Sequence, residues 1–108
     1  MFFFQRQPKT PLMSMEEGVK RRQQDASIWL IDVRTPSEYA QGHLPRSVNI
    51  PLQQLTITKK LPAADTEMLV YCHSGARSRR AAAALRKLGY TNVHDLGGLM
   101  HWPHALTH

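Results

Sequence analysis

Two short hydrophobic runs stand out in the pattern of apolar and polar positions along the chain. The first covers residues 28–33, with Asp32 as its one acidic member, and the second covers residues 68–72. Both runs are too short for buried helices, and the first is rich in β-branched residues, so they predict buried parallel strands. Shorter apolar segments at residues 48–50 and 93–96 predict two further strands.

Polar segments with helical signatures separate these strands. Capping-box sequences at residues 14–17 and 35–38, each a hydroxyl residue followed by a glutamate three positions later, predict the starts of two helices. The first of these helices is expected to run to about Gln24, weakened by Gly18, and the second to end near Gly42.

The strongest helical pattern lies at residues 77–88, directly after the second hydrophobic run. Ala81, Leu85 and Leu88 share one face of this helix, and Gly89 is well placed to end it. Because strands and helices alternate along the chain, the sequence predicts an α/β domain in three layers. A mostly parallel central sheet of about five strands is expected, with helices on both faces.

A loose N-terminal extension is expected at residues 1–13, with a short edge strand at Phe2–Phe4. Residues 14–108 then form one domain, because a chain of 108 residues leaves little room for a second. No apolar run approaches the about 20 residues that span a membrane, and no signal-peptide pattern is present. We therefore expect a cytoplasmic protein without a membrane partner, although a signal peptide removed before numbering would leave the same sequence.

The chain has a formal net charge of +6, which favours anionic ligands. Its lysines and arginines fall in short scattered groups, and no aromatic residues are interleaved with them as stacking platforms. Nucleic acid is therefore not expected as a partner.

The C-terminal tail carries three histidines, His101, His104 and His108, without a neighbouring acid in the sequence. We expect no more than adventitious metal binding there, and hence no resident metal. Met100 and Trp102 in the same tail are expected to pack in the core rather than to line a substrate site.

The sequence contains a single cysteine, Cys72, at the end of the second hydrophobic run. A disulfide framework and a zinc site built from several cysteines are therefore excluded within this chain. A lone thiol is either a buried small hydrophobic group or a reactive nucleophile. Its position favours the nucleophile, because ligands of parallel α/β sheets bind at the carboxyl ends of the strands.

The segment after Cys72 joins a strand to a helix and favours the binding of an anion. A helix N-terminus presents unpaired N–H groups and a partial positive charge, and a short curled loop adds further N–H groups. We expect this cradle to keep the Cys72 thiol largely ionised near pH 7. The predicted anion-binding residues are His73, Ser74, Gly75, Ala76, Arg77 and Ser78 of the loop, together with Arg34 near the end of the first strand.

Several of these side chains have a second interpretation. Arg77 either points into the cradle, which we favour, or pairs with a structural acid. Arg34 either lines the pocket or pairs with Glu38 or a loop carbonyl, and the structural role is slightly favoured. Ser78 either donates its hydroxyl to the sulfur or caps the helix, and the cap is favoured. His43 is expected to be a hydrogen-bonded corner residue rather than a general base.

Motifs over most of the chain resemble the rhodanese family. They are Leu30–Arg34, Glu38–Tyr39, Gly42–Pro45, Val48–Pro51, the Cys72–Ser78 loop, Leu88–Tyr90, Val93, Gly97–Gly98 and Trp102. Their order and spacing are similar to those of a complete single rhodanese domain, whereas residues 1–13 do not match the first strand of the family. The resemblance implies a rhodanese-like three-layer fold.

The resemblance also implies a sulfurtransferase reaction in two steps. Cys72 attacks the outer sulfur of a small anionic donor such as thiosulfate, sulfite leaves, and Cys72 holds a persulfide. Cyanide or an external thiol then accepts the sulfur, because the chain has no second cysteine. No cofactor is implied. The oligomeric state is left open, and a monomer is compatible with the sequence.

Two other functions stay open on the same fold. Phosphatases and arsenate reductases share it, but four residues separate Cys72 from Arg77 here, one fewer than in the related phosphatases. Tyr71 also stands where such phosphatases usually have histidine. A sulfur-carrier or binding role toward a partner protein is the other alternative. We predict a thiosulfate sulfurtransferase.

Overall fold

A sheet of four parallel strands forms the centre of the computed structural model, which describes residues 13–108. In chain order the elements are α1 (Met15–Gln24), β1 (Trp29–Asp32), α2 (Pro36–Gln41), β2 (Val48–Asn49), β3 (Met68–Cys72), α3 (Ala76–Lys87) and β4 (Val93–Gly98), with 3-10 turns at Leu52–Gln54 and Leu99–His101. The Phe2–Phe4 strand and nearly all of the expected extension lie outside the described residues. Within residues 13–108, no helix is long and apolar enough to cross a membrane.

The strands lie side by side in the order β2-β1-β3-β4, and each neighbouring pair is parallel. In the central pair, Ile31 of β1 is aligned with Val70 of β3. Each connection between successive strands contains a helix or a 3-10 turn. This arrangement confirms the predicted α/β fold. The sheet has four strands in the described part of the chain, where about five were expected from the alternating pattern.

A hydrophobic cluster lies on each face of the sheet, because successive side chains of a strand point to opposite faces. Met68, Val70 and Cys72 of β3 belong to the cluster that packs against α3. Leu69 and Tyr71 belong to the cluster that packs against α1. The alternation therefore places the Cys72 side chain on the face where the next helix begins.

The helix boundaries agree with the sequence to within about a turn, with two instructive details. The sequence places Leu88 on the buried face of α3, but this side chain is 46% exposed, because Leu88 is the C-cap where the helix ends.

Gly18, expected only to weaken α1, has a packing role. A β-carbon at this position would lie 2.6 Å from Cδ1 of the buried Leu96.

Tyr71 fastens the segment between α2 and β2 to the sheet. Its buried hydroxyl accepts a hydrogen bond from the Leu44 amide at 3.1 Å and lies 3.1 Å from the Ser47 hydroxyl. Ser47 in turn donates to the Leu44 carbonyl at 2.7 Å. Burial raises the pKa of Tyr71 far above its ordinary value, so the side chain remains a neutral phenol and serves as a structural link.

The variant Tyr71→Phe is expected to lower the free energy of unfolding by about 1–3 kcal/mol, because the buried Leu44 amide then loses its acceptor. Urea titration followed by tryptophan fluorescence measures the loss. Tyr90→Phe is the matched control, since its hydroxyl donates to the part-buried Pro62 carbonyl, which water can reach. A larger loss for Tyr90→Phe than for Tyr71→Phe would contradict the assigned role.

Candidate active site

Cys72 is the last residue of β3, and residues 73–75 lead from it into α3. Gly75 is the N-cap of α3 and has a φ of 103°, in the left-handed region that glycine adopts without a side-chain clash. The turn directs two backbone N–H groups at the sulfur. The Gly75 amide donates to Cys72 Sγ at 3.0 Å and the Ser78 amide at 3.3 Å.

The Cys72 side chain is fully buried, with 0% of its surface exposed. It belongs to the hydrophobic cluster beneath α3, yet it also accepts the two amide hydrogen bonds. A cysteine that acts merely as a core hydrophobic group has no need of two N–H donors. These donors, together with the positive end of the helix dipole, stabilise negative charge on the sulfur.

Arg77 takes the second of the two orientations that the sequence leaves open and pairs with Glu38. Its Nη1 and Nη2 donate to Glu38 Oε1 and Oε2 at 2.8 Å and 3.0 Å, and both side chains are half-buried. The hydrogen bond from Arg77, opposed by burial and assisted by the Thr35 amide, lowers the pKa of Glu38 to about 2. Arg77 thus links the start of α3 to α2, and its role as an anion ligand stays a prediction.

The remaining loop residues divide between buried and exposed positions. Gly75 and Ser78 are buried, whereas His73, Ser74 and Ala76 are exposed. The expectation that Ser78 caps the helix is wrong, because Gly75 occupies that position. The Ser78 hydroxyl donates to the Gly75 carbonyl at 3.1 Å rather than to the sulfur, so Ser78 contributes to the cradle through its amide.

Arg34 is buried just after β1 and joins the scaffold around the loop. Its guanidinium contacts both carboxylate oxygens of Asp32 at 2.8–3.1 Å and donates to the Gly42 carbonyl at 2.7 Å. The expected loop carbonyl is therefore present, but the acid is Asp32 and not Glu38. Arg34 also borders a cavity beside the loop, which His73 lines as well.

Gly98 at the end of β4 and Met100 in the following 3-10 turn support the loop, although the sequence assigned neither a role at the site. A β-carbon at Gly98 would lie 2.6 Å from the His73 carbonyl oxygen and 2.7 Å from the Ser74 carbonyl carbon. The Met100 amide donates to the same His73 oxygen at 3.1 Å. The Met100 side chain is 56% exposed rather than packed in the core. The sequence signal for this close approach is the glycine pair at residues 97–98.

Two histidines outside the loop, His43 and His104, have structural partners. His43 is the corner residue that the sequence predicts, since its Nδ1 lies 2.9 Å from the Tyr39 carbonyl oxygen and its ring stacks on Tyr39. His104 Nε2 lies 2.6 Å from Glu16 Oε2. Nothing in the sequence indicates this acidic neighbour, because the two residues are 88 positions apart. Across residues 13–108, no group of three His, Cys, Asp or Glu side chains is placed to hold a metal ion.

Comparison with known proteins finds one matching domain family and several relatives that are named sulfurtransferases. Residues 15–105 match the rhodanese-like domain family. A sulfurtransferase of Allochromatium vinosum is 38% identical over 88 residues, which cover 80% of this chain and 82% of that protein. The thiosulfate sulfurtransferase PspE of Escherichia coli is 39% identical over 71 residues, covering 64% and 68%. The solved human single-domain sulfurtransferase TSTD1 has a TM-score of 0.75 and 26% identity, covering 87% of this chain and 96% of that chain.

Glu38→Gln is expected to destabilise the protein near neutral pH and to reduce its sensitivity to acid. Because the folded-state pKa of Glu38 is lowered from 4.5 to about 2, the ionised group stabilises the fold above pH 4.5. That contribution disappears as the pH falls toward 2, so the urea unfolding free energies of the protein and the variant should converge. In a background of Arg77→Gln, the same substitution should change little. A gap that stays constant with pH would contradict the assigned ion pair.

Gly98→Ala is expected to lower the unfolding free energy by about 1–3 kcal/mol, because its β-carbon would collide with backbone atoms of the loop. The amide NMR resonances of Gly75 and Ser78 should shift at the same time. Gly97→Ala is the control, since a β-carbon there meets no atom within 4 Å and only the backbone φ of 85° is strained. Unchanged Gly75 and Ser78 resonances in Gly98→Ala would refute the support assigned to β4.

Proposed function

The chain belongs to the rhodanese family, and we propose that it transfers a sulfane sulfur from thiosulfate or a similar anionic donor to cyanide or a thiol, through a persulfide on Cys72. The observation that carries the proposal is the position of Cys72 Sγ at the end of β3, where it accepts hydrogen bonds from the Gly75 and Ser78 amides. The thiosulfate sulfurtransferase name of a relative that is 39% identical supports the choice of donor.

The first half of the proposed reaction loads sulfur onto Cys72. The thiolate attacks the outer sulfur of thiosulfate, a new S–S bond forms, and the bond within thiosulfate breaks with its electron pair leaving on sulfite. The product is a Cys72 persulfide whose outer sulfur is an anion. The amides at the start of α3 suit both states, because the thiolate and the persulfide each place negative charge beside N–H donors.

The second half returns Cys72 to its starting state. The acceptor attacks the outer sulfur, and the electron pair of the persulfide bond returns to Cys72 Sγ as a thiolate. Since the sequence holds one cysteine, no second thiol of this chain can take the sulfur, and the acceptor is an external nucleophile. The cytoplasmic location expected from the sequence belongs to the same proposal.

The length of the loop favours sulfur transfer over phosphatase chemistry. Four residues separate Cys72 from Arg77, one fewer than in the related phosphatases, so the loop is narrower than one that surrounds a phosphate group. The sulfurtransferase names of two relatives agree with this interpretation.

Incubation with thiosulfate is expected to add one sulfur atom to the protein, measured by intact mass, and cyanide should remove it with release of thiocyanate. Cys72→Ser should abolish both steps, because a serine hydroxyl is not ionised near neutral pH and is a far weaker nucleophile. Thr56→Ala, which changes an exposed side chain outside the Cys72 loop, is the control that should still load sulfur.

The outcomes separate the alternatives. A persulfide that forms but turns over negligibly on cyanide and small thiols would indicate a sulfur carrier for a partner protein. Hydrolysis of a phosphate ester or reduction of arsenate, with no gain of sulfur, would overturn the proposal.

A further inference from the structure

A cavity of about 400 Å³ opens beside the Cys72 loop and is not used by the reaction described above. Its lining has a polar part, which includes Glu38, Gln41, His73 and the Asp32-paired Arg34, and an apolar wall of Leu99, Met100 and Leu106. Sites for small organic molecules typically measure about 300–1,000 Å³. Cyanide and thiosulfate fill only a small part of such a space, and neither has an apolar part that could contact three hydrophobic side chains.

The apolar wall is fixed by backbone contacts on both sides. Met100 is tied to the loop, since its amide donates to the His73 carbonyl at 3.1 Å. Leu106 lies in the C-terminal tail, where His43 and Thr107 exchange backbone hydrogen bonds of 2.8 Å and 2.9 Å. The backbone that carries the apolar wall is therefore held in place before any ligand binds, which reduces the entropic cost of binding.

The polar side offers hydrogen-bonding groups rather than unpaired charge. Glu38 is held by Arg77. The side chains of Gln41 and His73 are exposed and form no hydrogen bond within the part of the chain that the structure describes. An amide and an imidazole can bind the amide or carbonyl groups of a ligand, whereas the apolar wall binds a hydrocarbon part.

We propose that this cavity binds the body of a small organic thiol that accepts sulfur from Cys72, and that Met100 and Leu106 determine its preference for thiols with an apolar group. The inference rests on the proposed function and specifies its acceptor. His73 follows Cys72 directly and lines the cavity, so a thiol bound there lies beside the loop that holds Cys72.

The transfer step balances without any further reactant. The thiol sulfur bonds to the outer sulfur of the Cys72 persulfide, and the bond between the outer sulfur and Cys72 Sγ breaks. Its electron pair stays on Cys72 as a thiolate, and the thiol proton stays on the released organic persulfide. No external oxidant or reductant is consumed.

The test compares two acceptors that are identical around the thiol, N-acetylcysteine methylamide and N-acetylcysteine benzylamide. With the thiosulfate-loaded protein, kcat/KM for the benzylamide should exceed that for the methylamide roughly tenfold, as expected for burial of part of a phenyl ring. Met100→Ala and Leu106→Ala should each bring this ratio toward one while leaving kcat/KM for cyanide within about twofold.

Ile57→Ala is the matched control, because Ile57 is an exposed hydrophobic residue, 73% accessible, that does not line the cavity. It should leave the ratio unchanged. Met100→Gln keeps the side-chain length but removes the apolar end, and it should also lower the ratio. This variant distinguishes the loss of an apolar contact from the loss of side-chain volume in Met100→Ala. A ratio near one in the unmodified protein, or one that the Met100 and Leu106 variants do not change, would overturn the proposal.

A binding experiment separates this inference from the proposed function. The S-methyl derivative of the benzylamide cannot accept sulfur, but it should still shift the NMR resonances of Met100, Leu106 and His73, and it should bind more weakly to Leu106→Ala. Binding without persulfide formation on Cys72 would refute the proposed function alone. Persulfide formation without binding at these residues would refute the cavity assignment alone.

Discussion

The hydrogen bonds from the Gly75 and Ser78 amides to Cys72 Sγ are the constraint around which the site is arranged. They require the chain to reverse direction within three residues at the end of a buried strand. Gly75 makes this reversal possible because its φ of 103° is costly for residues with a β-carbon. The result is a buried sulfur whose hydrogen-bond donors are main-chain amides, which cannot rotate away as a side chain could.

The surrounding elements restrict where this turn can lie. Gly98 allows β4 to approach the loop backbone, and the Met100 amide holds the His73 carbonyl. On the other side, Glu38 joins the first turn of α3 to α2 through Arg77. The loop is therefore held by a strand, a helix and a 3-10 turn, which keep its amides in fixed positions relative to Cys72 Sγ.

The parts of the structure that local pattern determines could be predicted from the sequence. The buried strands follow from the two hydrophobic runs, and the Thr35–Glu38 capping box is present as predicted. The position of Cys72 at a strand end before a helix was also correct, since strand, loop and helix are consecutive in the chain. These features depend on residues a few positions apart, for which periodicity and capping chemistry are informative.

Side-chain partners that are distant in the chain could not be predicted in the same way. Arg77 and Glu38 are 39 positions apart. The spacing of residues in the sequence therefore could not show that Arg77 pairs with a carboxylate on another helix and does not point into the loop. The exposure of Met100 depends likewise on where the C-terminal tail passes. Ser78 was misassigned because a serine near a helix start suggests a cap, whereas α3 begins at Ala76 and its N-cap is Gly75, three residues before Ser78.

Both arginines of the site face a carboxylate, Arg34 at Asp32 and Arg77 at Glu38, so the polar grip on the sulfur comes from N–H dipoles about 3 Å away. This distance is well inside the Debye length of about 8 Å at physiological ionic strength. Dissolved salt therefore has little to screen at the final contact. Added salt should therefore weaken the attraction of anions to the basic surface of the chain more than the hydrogen bonds to Cys72 Sγ.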